Sequence, residues 1–142
     1  DSLFQSEARR CKEIYDSVMN NLHKHHFCIF DELYSGTNPY EAISASYSFI
    51  NHLSKQSNID FMLTTHYIDL CKHLDNNSKL QNCCMKTIAQ RDDFKYTYKL
   101  ESSISNIRGG VKVLQDLGYP RAIVDDTRKF LEKIELLSIK KK

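Results

Sequence analysis

The stretch FCIFDELYSGTNPYEA, residues 27–42, runs four apolar residues into two carboxylates and then into a polar loop. A short, wholly apolar run is typical of a strand that is buried on both faces of a mostly parallel sheet. The sequence therefore predicts a buried strand over Phe27–Phe30 that leads directly into Asp31 and Glu32. Pro39 lies where a helix can begin, because proline is well tolerated in the first helical turn.

Helices and a second strand are predicted on both sides of this stretch. Apolar residues at helical spacing predict an amphipathic helix over about Ser2–Leu22. A second helix is expected over about Pro39–Lys55, and a second buried strand over Ile59–Thr64. A short helix is then expected to run through about Leu74.

The C-terminal part of the chain predicts a hairpin and a pair of helices. Strands are expected over Leu80–Ala89 and Phe94–Leu100, joined by three polar residues. Helices are expected near Arg108–Leu117 and Pro120–Leu137, with Gly118 where a C-cap glycine belongs. Alternating strands and helices followed by a hairpin predict the α/β class with an antiparallel edge.

The composition is that of an ordinary globular protein, with 41% hydrophobic residues, 27% charged residues and a net charge of +2. This small net charge gives no case for nucleic-acid binding by the chain itself. No apolar run approaches the roughly 18–20 residues that a membrane span needs. The five cysteines lack the spacing of a disulfide framework and predict a reducing, intracellular compartment.

A group of possible metal ligands precedes the first strand, namely His23, His25, His26 and Cys28. No second pair of ligands lies at zinc spacing, and the cysteine belongs to the apolar run. A polar helix end that leads into a strand accounts for these residues better than a structural metal does.

Polar side chains follow both predicted strands at their carboxyl ends, where ligands gather in α/β sheets. The neighbouring carboxylates Asp31 and Glu32 suit phosphoryl transfer, since one can hold Mg²⁺ while the other takes a proton from water. His66 follows the second strand and could donate a hydrogen bond to a transferred phosphoryl group. Ser2, a plausible N-cap, could bind phosphate at a helix N-terminus. Each feature also has a plainer interpretation: an acid at a strand end, a surface histidine and a simple cap.

Several segments, in order along nearly the whole chain, resemble the ATPase domain of the MutS family of DNA mismatch-repair proteins. DSLFQSE, residues 1–7, resembles the family's signature segment, in which a Ser-x-Phe-x-x-Glu pattern opens a helix. FCIFDE resembles its Walker B strand, LYSGTNPYEA its D-loop, and FMLTTHY the strand before its switch histidine. YTYKL, SISNIRGGVKVLQDLGYP and IVDDTRKFLEKI resemble its C-terminal hairpin and closing helices.

The resemblance implies part of a P-loop, ABC-type ATPase sheet flanked by helices, with a β-hairpin and a C-terminal helical pair. Residues 1–100 would be the C-terminal portion of the ATPase domain, and residues 101–142 would close the domain and its dimer interface. ATP and Mg²⁺ are the implied ligands. A homo- or heterodimer, and mismatched or branched double-stranded DNA bound through regions outside this chain, are the implied partners, with no membrane contact.

The resemblance also implies roles for individual residues. Asp31 would be the carboxylate associated with Mg²⁺ through a water molecule, Glu32 would activate the lytic water and His66 would sense the γ-phosphate. Ser2 would reach across the dimer to the γ-phosphate bound by the partner subunit. The loop after the two carboxylates would couple the two nucleotide sites and consists of Ser35, Gly36, Thr37 and Asn38.

One departure from the family pattern and one missing motif bear on this expectation. Tyr34 and Ser35 stand where the family commonly has Gly-Arg, so any contact from that arginine is absent. None of the four glycines begins the Gly-x-x-x-x-Gly-Lys-Ser/Thr loop that cradles phosphates. We therefore expect the chain to be an inactive half-site on its own, with an apolar edge that further strands would cover.

Two other functions fit the same sequence. The fold could serve as a non-enzymatic module for dimerisation or partner docking, with apolar stripes on the terminal helices as the contact surface. Alternatively, the chain could come from another ABC-type ATPase of DNA recombination or chromosome maintenance. An acidic pair followed by a histidine favours an ATPase over the docking module.

Overall fold

The computed structural model describes residues 2–91, 93–107 and 109–140, with side chains described as far as residue 137. Mixed α/β structure is observed, with a hairpin and a C-terminal helical pair, as the sequence predicts. The elements are α1 (Leu3–Asn20), β1 (His26–Asp31), α2 (Pro39–Leu53), β2 (Ile59–Thr64), α3 (Ile68–Leu74), β3 (Cys84–Gln90), β4 (Asp93–Glu101), α4 (Gly110–Asp116) and α5 (Arg121–Lys140).

Strands β1 and β2 form a two-stranded parallel sheet in which His26 pairs with Ile59 and Asp31 pairs with Thr64. Side chains alternate between the faces of such a sheet. Only one face is buried, and it carries Phe30, whose ring makes edge contacts with the rings of Phe49 on α2 and Phe61 on β2.

The expectation that β1 is buried on both faces is wrong for this chain. Phe27 and Ile29 are 63% and 69% exposed, and Met62, which pairs with Ile29, is 61% exposed. The described part of the chain provides a helical layer for one face of the sheet only. The apolar run identified a strand correctly, because both faces are apolar, but it did not show which face is covered here.

The core joins α1, α2 and the buried face of the sheet in one cluster. Small residues on α2, Ala42 and Ser46, are fully buried and allow close packing of this helix. The C-terminal end of α1 is held by Asn58, whose side-chain amide donates to the carbonyl oxygens of Val18 at 3.1 Å and Asn21 at 3.3 Å. Because the last carbonyls of a helix lack partners within the helix, the bond to Val18 makes the side chain of Asn58 a distant C-cap.

Strands β3 and β4 pair in a second sheet. Only two residues separate them, which is too short for a parallel crossover, so they form an antiparallel hairpin. Strand β3 begins at Cys84 rather than at the predicted Leu80. The amide of Asn82 donates to the carbonyl of Cys71 at 2.9 Å and to Asp75 at 3.1 Å, which holds the preceding segment against the end of α3 instead of in the sheet.

The chain divides into two compact units. The first consists of residues 1–86 and 98–105 and contains α1 to α3 and the parallel sheet. The second consists of residues 87–97 and 106–142 and contains the tip of the hairpin with α4 and α5. Gly118, with φ of 78°, ends α4 as the sequence predicts. The expected domain division between residues 100 and 101 stays a prediction.

The structure also bears on the expectations about membrane spans, disulfides and metal sites. No helix within the described residues is long and apolar enough to cross a membrane. All five cysteines are free. The described residues contain no group of three or more His, Cys, Asp or Glu side chains that could hold a metal ion.

Candidate functional site

The acidic pair lies at the carboxyl end of the parallel sheet, as predicted from the two strands. Asp31 ends β1 beside Thr64, which ends β2. The hydroxyl of Thr64 donates to Asp31 Oδ1 at 2.7 Å, and the backbone N–H of Glu32 donates to Thr64 O at 3.1 Å and Oγ1 at 3.2 Å. One threonine therefore fixes the side chain of the first acid and the backbone of the second.

Glu32 and His66 are brought together at the same edge. His66 Nδ1 lies 3.0 Å from Glu32 Oε1, although 34 residues separate the two in sequence. Glu32 has a left-handed backbone conformation, with φ of 58°, which turns the chain away from the strand direction directly after β1. The ring of Tyr67 lies against the imidazole, with 4.2 Å between the ring centroids, and restricts its orientation. Both members of the pair are exposed, so a ligand can reach them.

The donor set fits a magnesium ion rather than a zinc ion. Asp31 and Glu32 offer carboxylate oxygens and Thr64 offers a hydroxyl, and all three residues are exposed. Mg²⁺ is typically bound through one or two protein carboxylates and completes its six ligands with water and phosphate oxygens. Zinc sites instead use four ligands dominated by cysteine and histidine. Two carboxylates at a solvent-exposed strand end therefore suit a hydrated Mg²⁺ that also contacts a phosphate.

The N-terminus of α1 has the features of an anion-binding helix end. Ser2 Oγ accepts from the N–H of Gln5 at 3.2 Å, and the Gln5 side chain accepts from the N–H of Ser2 at 2.9 Å, which together form a capping box. Because the serine oxygen acts as an acceptor, its O–H can still donate to an anion. The first turn contains no acidic residue that would offset the helix dipole.

The loop after Glu32 uses its polar side chains within the chain. Ser35 donates to Glu7 on α1, Thr37 Oγ1 donates to Glu41 at 2.7 Å, and Asn38 caps α2 by accepting from the N–H of Glu41 at 3.0 Å. The family resemblance implied that Ser35, Gly36, Thr37 and Asn38 form one loop that couples the two nucleotide sites. The structure gives each polar side chain in this segment a partner on α1 or α2, and none of them bonds to Asp31, Glu32 or His66.

Two residues of the site were not identified from the sequence. Thr64 was treated only as the end of a strand, although the predicted strand ends already implied its place beside Asp31. Tyr34 was noted as a departure from the family pattern, but its burial was not predicted. The residue is 8% exposed, and its ring packs between the rings of Phe4 and Phe49, with centroid distances of 5.8 and 6.3 Å. Burial raises the pKa of its phenol, and the hydrogen bond to Cys11 acts in the same direction.

The fold and the site together define an α/β protein with an acidic, histidine-containing site at the carboxyl ends of two parallel strands. The sequence matches the family model described as MutS domain V over residues 1–135. The chain therefore belongs to the MutS domain V family.

Individual relatives agree with this assignment. The chain is 28% identical over 107 residues to DNA mismatch repair protein spellchecker 1 of Drosophila melanogaster, covering 75% of this chain and 12% of that protein. It is 24% identical to the DNA mismatch repair protein MutS of Aquifex pyrophilus, with coverage of 84% and 14%. It is 26% identical to endonuclease MutS2 of Alkaliphilus metalliredigens, with coverage of 93% and 16%. The chain thus spans less than one fifth of the length of these relatives.

Proposed function

We propose that the chain supplies the hydrolytic half of an ATPase site in a longer mismatch-repair protein. The observation that carries this proposal is the contact between Glu32 and His66 at the carboxyl end of β1, immediately beside Asp31. A base, a hydrogen-bond donor and a carboxylate suited to Mg²⁺ at one exposed strand edge are the groups that hydrolysis of a phosphoanhydride requires.

Glu32 acts as the general base in this proposal. Its Oε1 accepts from His66, which leaves Oε2 to take a proton from the attacking water. The water oxygen forms a bond to the γ-phosphorus as the bond between that phosphorus and the bridging oxygen of ADP breaks. The proton passes to Glu32, and the electron pair of the broken bond stays on ADP.

Asp31 and His66 stabilise charge in the same reaction. Asp31, fixed by the hydroxyl of Thr64, holds Mg²⁺ directly or through a water molecule. When bound, the metal neutralises developing charge on the phosphate oxygens. In its doubly protonated form, His66 donates from Nδ1 to Glu32 and from Nε2 to a γ-phosphate oxygen, so one ring aligns both the base and the phosphate.

In this proposal Ser2 contacts a nucleotide other than the one that Glu32 hydrolyses. Its capped helix end, free of acidic residues in the first turn, suits a terminal phosphate, and Ser2 makes no hydrogen bond to Asp31, Glu32 or His66. We therefore propose that Ser2 acts on ATP held by a partner subunit, and that the segment from Ser35 to Asn38 lies at the contact between subunits. Mismatched or branched DNA would be bound through other regions of the longer protein.

The phosphate cradle must come from outside this chain. None of its four glycines begins a Gly-x-x-x-x-Gly-Lys-Ser/Thr loop. We expect this loop in the part of the longer protein that precedes Asp1. A complete coding sequence without any such loop would contradict the proposal.

The proposal is tested by steady-state ATP hydrolysis in the full-length protein, with Glu32→Gln compared with Glu13→Gln. Glu13 is an exposed carboxylate on α1 that pairs with Arg10 at 3.5 Å, and it controls for the loss of a negative charge. We expect Glu32→Gln to bind ATP normally and to lose hydrolysis by about 100-fold or more, in the range attributed to general bases. Equal turnover in the two variants would contradict the assignment of the base.

A further inference from the structure

Glu7 on α1 holds the loop that follows the two carboxylates. The N–H of Ser35 donates to Glu7 Oε2 at 2.8 Å, and the hydroxyl of Ser35 donates to Glu7 Oε1 at 2.8 Å. Both carboxylate oxygens are therefore engaged by one residue of the loop, 28 positions away in sequence. Hydrogen bonds to an ionised acceptor are about twice as strong as neutral ones, and two parallel bonds also fix orientation.

At Gly36, the residue after Ser35, the backbone of the loop lies directly on the first turn of α1. A Cβ atom added to Gly36 would lie 2.5 Å from the backbone nitrogen of Phe4 and 3.0 Å from the carbonyl carbon of Leu3. Real Cβ atoms do not approach backbone so closely, so only glycine allows this contact. Tyr34, one residue before Ser35, packs its ring on Phe4. Three consecutive loop residues thus contact α1.

The same loop determines where Glu32 points. Glu32 is fixed on its N-terminal side by the bonds from its N–H to Thr64. On its C-terminal side only the buried Leu33 separates it from Tyr34. A shift of the loop away from α1 would therefore rotate the backbone of Glu32, and with it the carboxylate that contacts His66.

We infer that Glu7 is a positioning residue that aligns Glu32 and ties the carboxylate loop to the helix that begins with Ser2. This inference rests on the proposed function. Glu7 and Ser2 lie within the first two turns of one helix, so a change in the position of the loop is passed to the helix end that serves the partner's nucleotide. Glu7 touches neither water nor nucleotide in this scheme and acts only through Ser35.

The functional test compares Glu7→Ala, Glu7→Gln and Glu13→Ala in the full-length protein. Misplacement of a catalytic group by about 1 Å can cost up to about 100-fold in rate, so we expect Glu7→Ala to lower kcat about 10-fold or more. KM should change less than about threefold, because no bond to ATP is removed. Glu7→Gln should recover most of the rate, since its amide can accept from the N–H and donate to the hydroxyl of Ser35. Glu13→Ala, the same truncation on an exposed face of α1, should leave kcat unchanged.

Amide hydrogen exchange provides a readout that does not depend on hydrolysis. In Glu7→Ala we expect faster exchange in residues 32–37 and unchanged exchange in β2. Should Glu7→Ala fail to fold, Ser35→Ala removes only the hydroxyl bond and should give a smaller loss of kcat, about threefold, with the same localised exchange.

The outcomes separate this inference from the proposed function. Unchanged exchange in residues 32–37, or a kcat equal to that of Glu13→Ala, would overturn the role of Glu7. A wild-type protein that hydrolyses no ATP would overturn the proposed function, while exchange would still decide whether Glu7 holds the loop. An equal loss of kcat in Glu7→Ala and Glu7→Gln would contradict positioning through hydrogen bonds.

Discussion

Tyr34 shows how a single residue can be both strained and stabilising. Its φ of 56° lies in the left-handed region, which costs a residue with a side chain about 1–2 kcal/mol relative to a right-handed conformation. Glycine adopts this conformation without strain. In this chain the cost is offset because the ring is buried between Phe4 and Phe49. The balance of strain and burial at this position can be measured.

We predict that Tyr34→Gly destabilises the chain although it relieves the strain. Loss of a buried aromatic side chain costs about 3–5 kcal/mol, which exceeds the strain of about 1–2 kcal/mol that is removed. The net loss of unfolding free energy should be about 1–4 kcal/mol in urea denaturation. Tyr34→Phe keeps the packing and loses only the hydroxyl, so it should cost about 1 kcal/mol or less. A Tyr34→Gly variant more stable than the wild type would refute this account.

At the scale of elements, the hairpin is joined to α4 by a partly buried ion pair in the second compact unit. The Lys112 side chain, 15% exposed, lies 3.0 Å from Asp93 at the start of β4 and 3.3 Å from Asp116 on its own helix. Its ammonium group also lies 5.4 Å from the centroid of the Phe94 ring. The N–H of Phe94, followed by Lys112, lowers the pKa of Asp93 below its ordinary value of 3.8. The strength of the ion pair between the start of β4 and α4 therefore depends on pH.

The direction of the Asp93 pKa shift predicts how the stability of the fold changes in acid. Because the pKa of Asp93 is lower in the folded state than in the unfolded state, its stabilising effect is present above its ordinary pKa of 3.8 and is lost as the pH falls through the folded value. Asp93→Asn keeps the acceptor for the N–H of Phe94 and removes the charge. We expect the Tm of the wild type to fall more steeply than that of Asp93→Asn between about pH 5 and pH 2. Parallel curves would show that the pair does not contribute.

Features set by a short stretch of sequence were predicted correctly, whereas features that depend on packing between elements were not. Local signals were sufficient for the bounds of β2, the cap at Ser2 and the glycine that ends α4. The contact of Glu32 with His66 could be predicted because two parallel strands bring their ends to one edge. The contacts of Glu7 with Ser35 and of Tyr34 with Phe49 depend on the packing of the loop against two helices, and no local pattern encodes them. The exposure of Phe27 and Ile29 depends on what covers the sheet, which an apolar run does not specify.

At the scale of the whole molecule, one face of the parallel sheet is apolar and exposed. Phe27, Ile29 and Met62 lie together on this face, and parallel sheets are normally covered on both faces. The chain spans 12–16% of the length of the relatives described above. A contiguous exposed apolar patch promotes association in water.

We predict that the chain on its own self-associates through this face. Light scattering after size exclusion should show a mass that rises with concentration, and an apolar dye should bind. Replacing Phe27, Ile29 and Met62 by threonine, which suits strands, should reduce both signals and leave the fold intact. Leu22→Thr removes an equally exposed apolar residue away from the sheet and should have little effect. A monodisperse wild type without dye binding would contradict the prediction.

The most direct test of the central claim is a single-turnover measurement of ATP cleavage in the full-length protein carrying Glu32→Gln. The claim is that Glu32, aligned by His66 and by the loop seated on α1, takes the proton from the attacking water. With enzyme in excess and ATP already bound in the presence of Mg²⁺, this measurement isolates the chemical step from product release. We predict that Glu32→Gln holds ATP as tightly as the wild type but cleaves it about 100-fold or more slowly. Cleavage at the wild-type rate would contradict the claim.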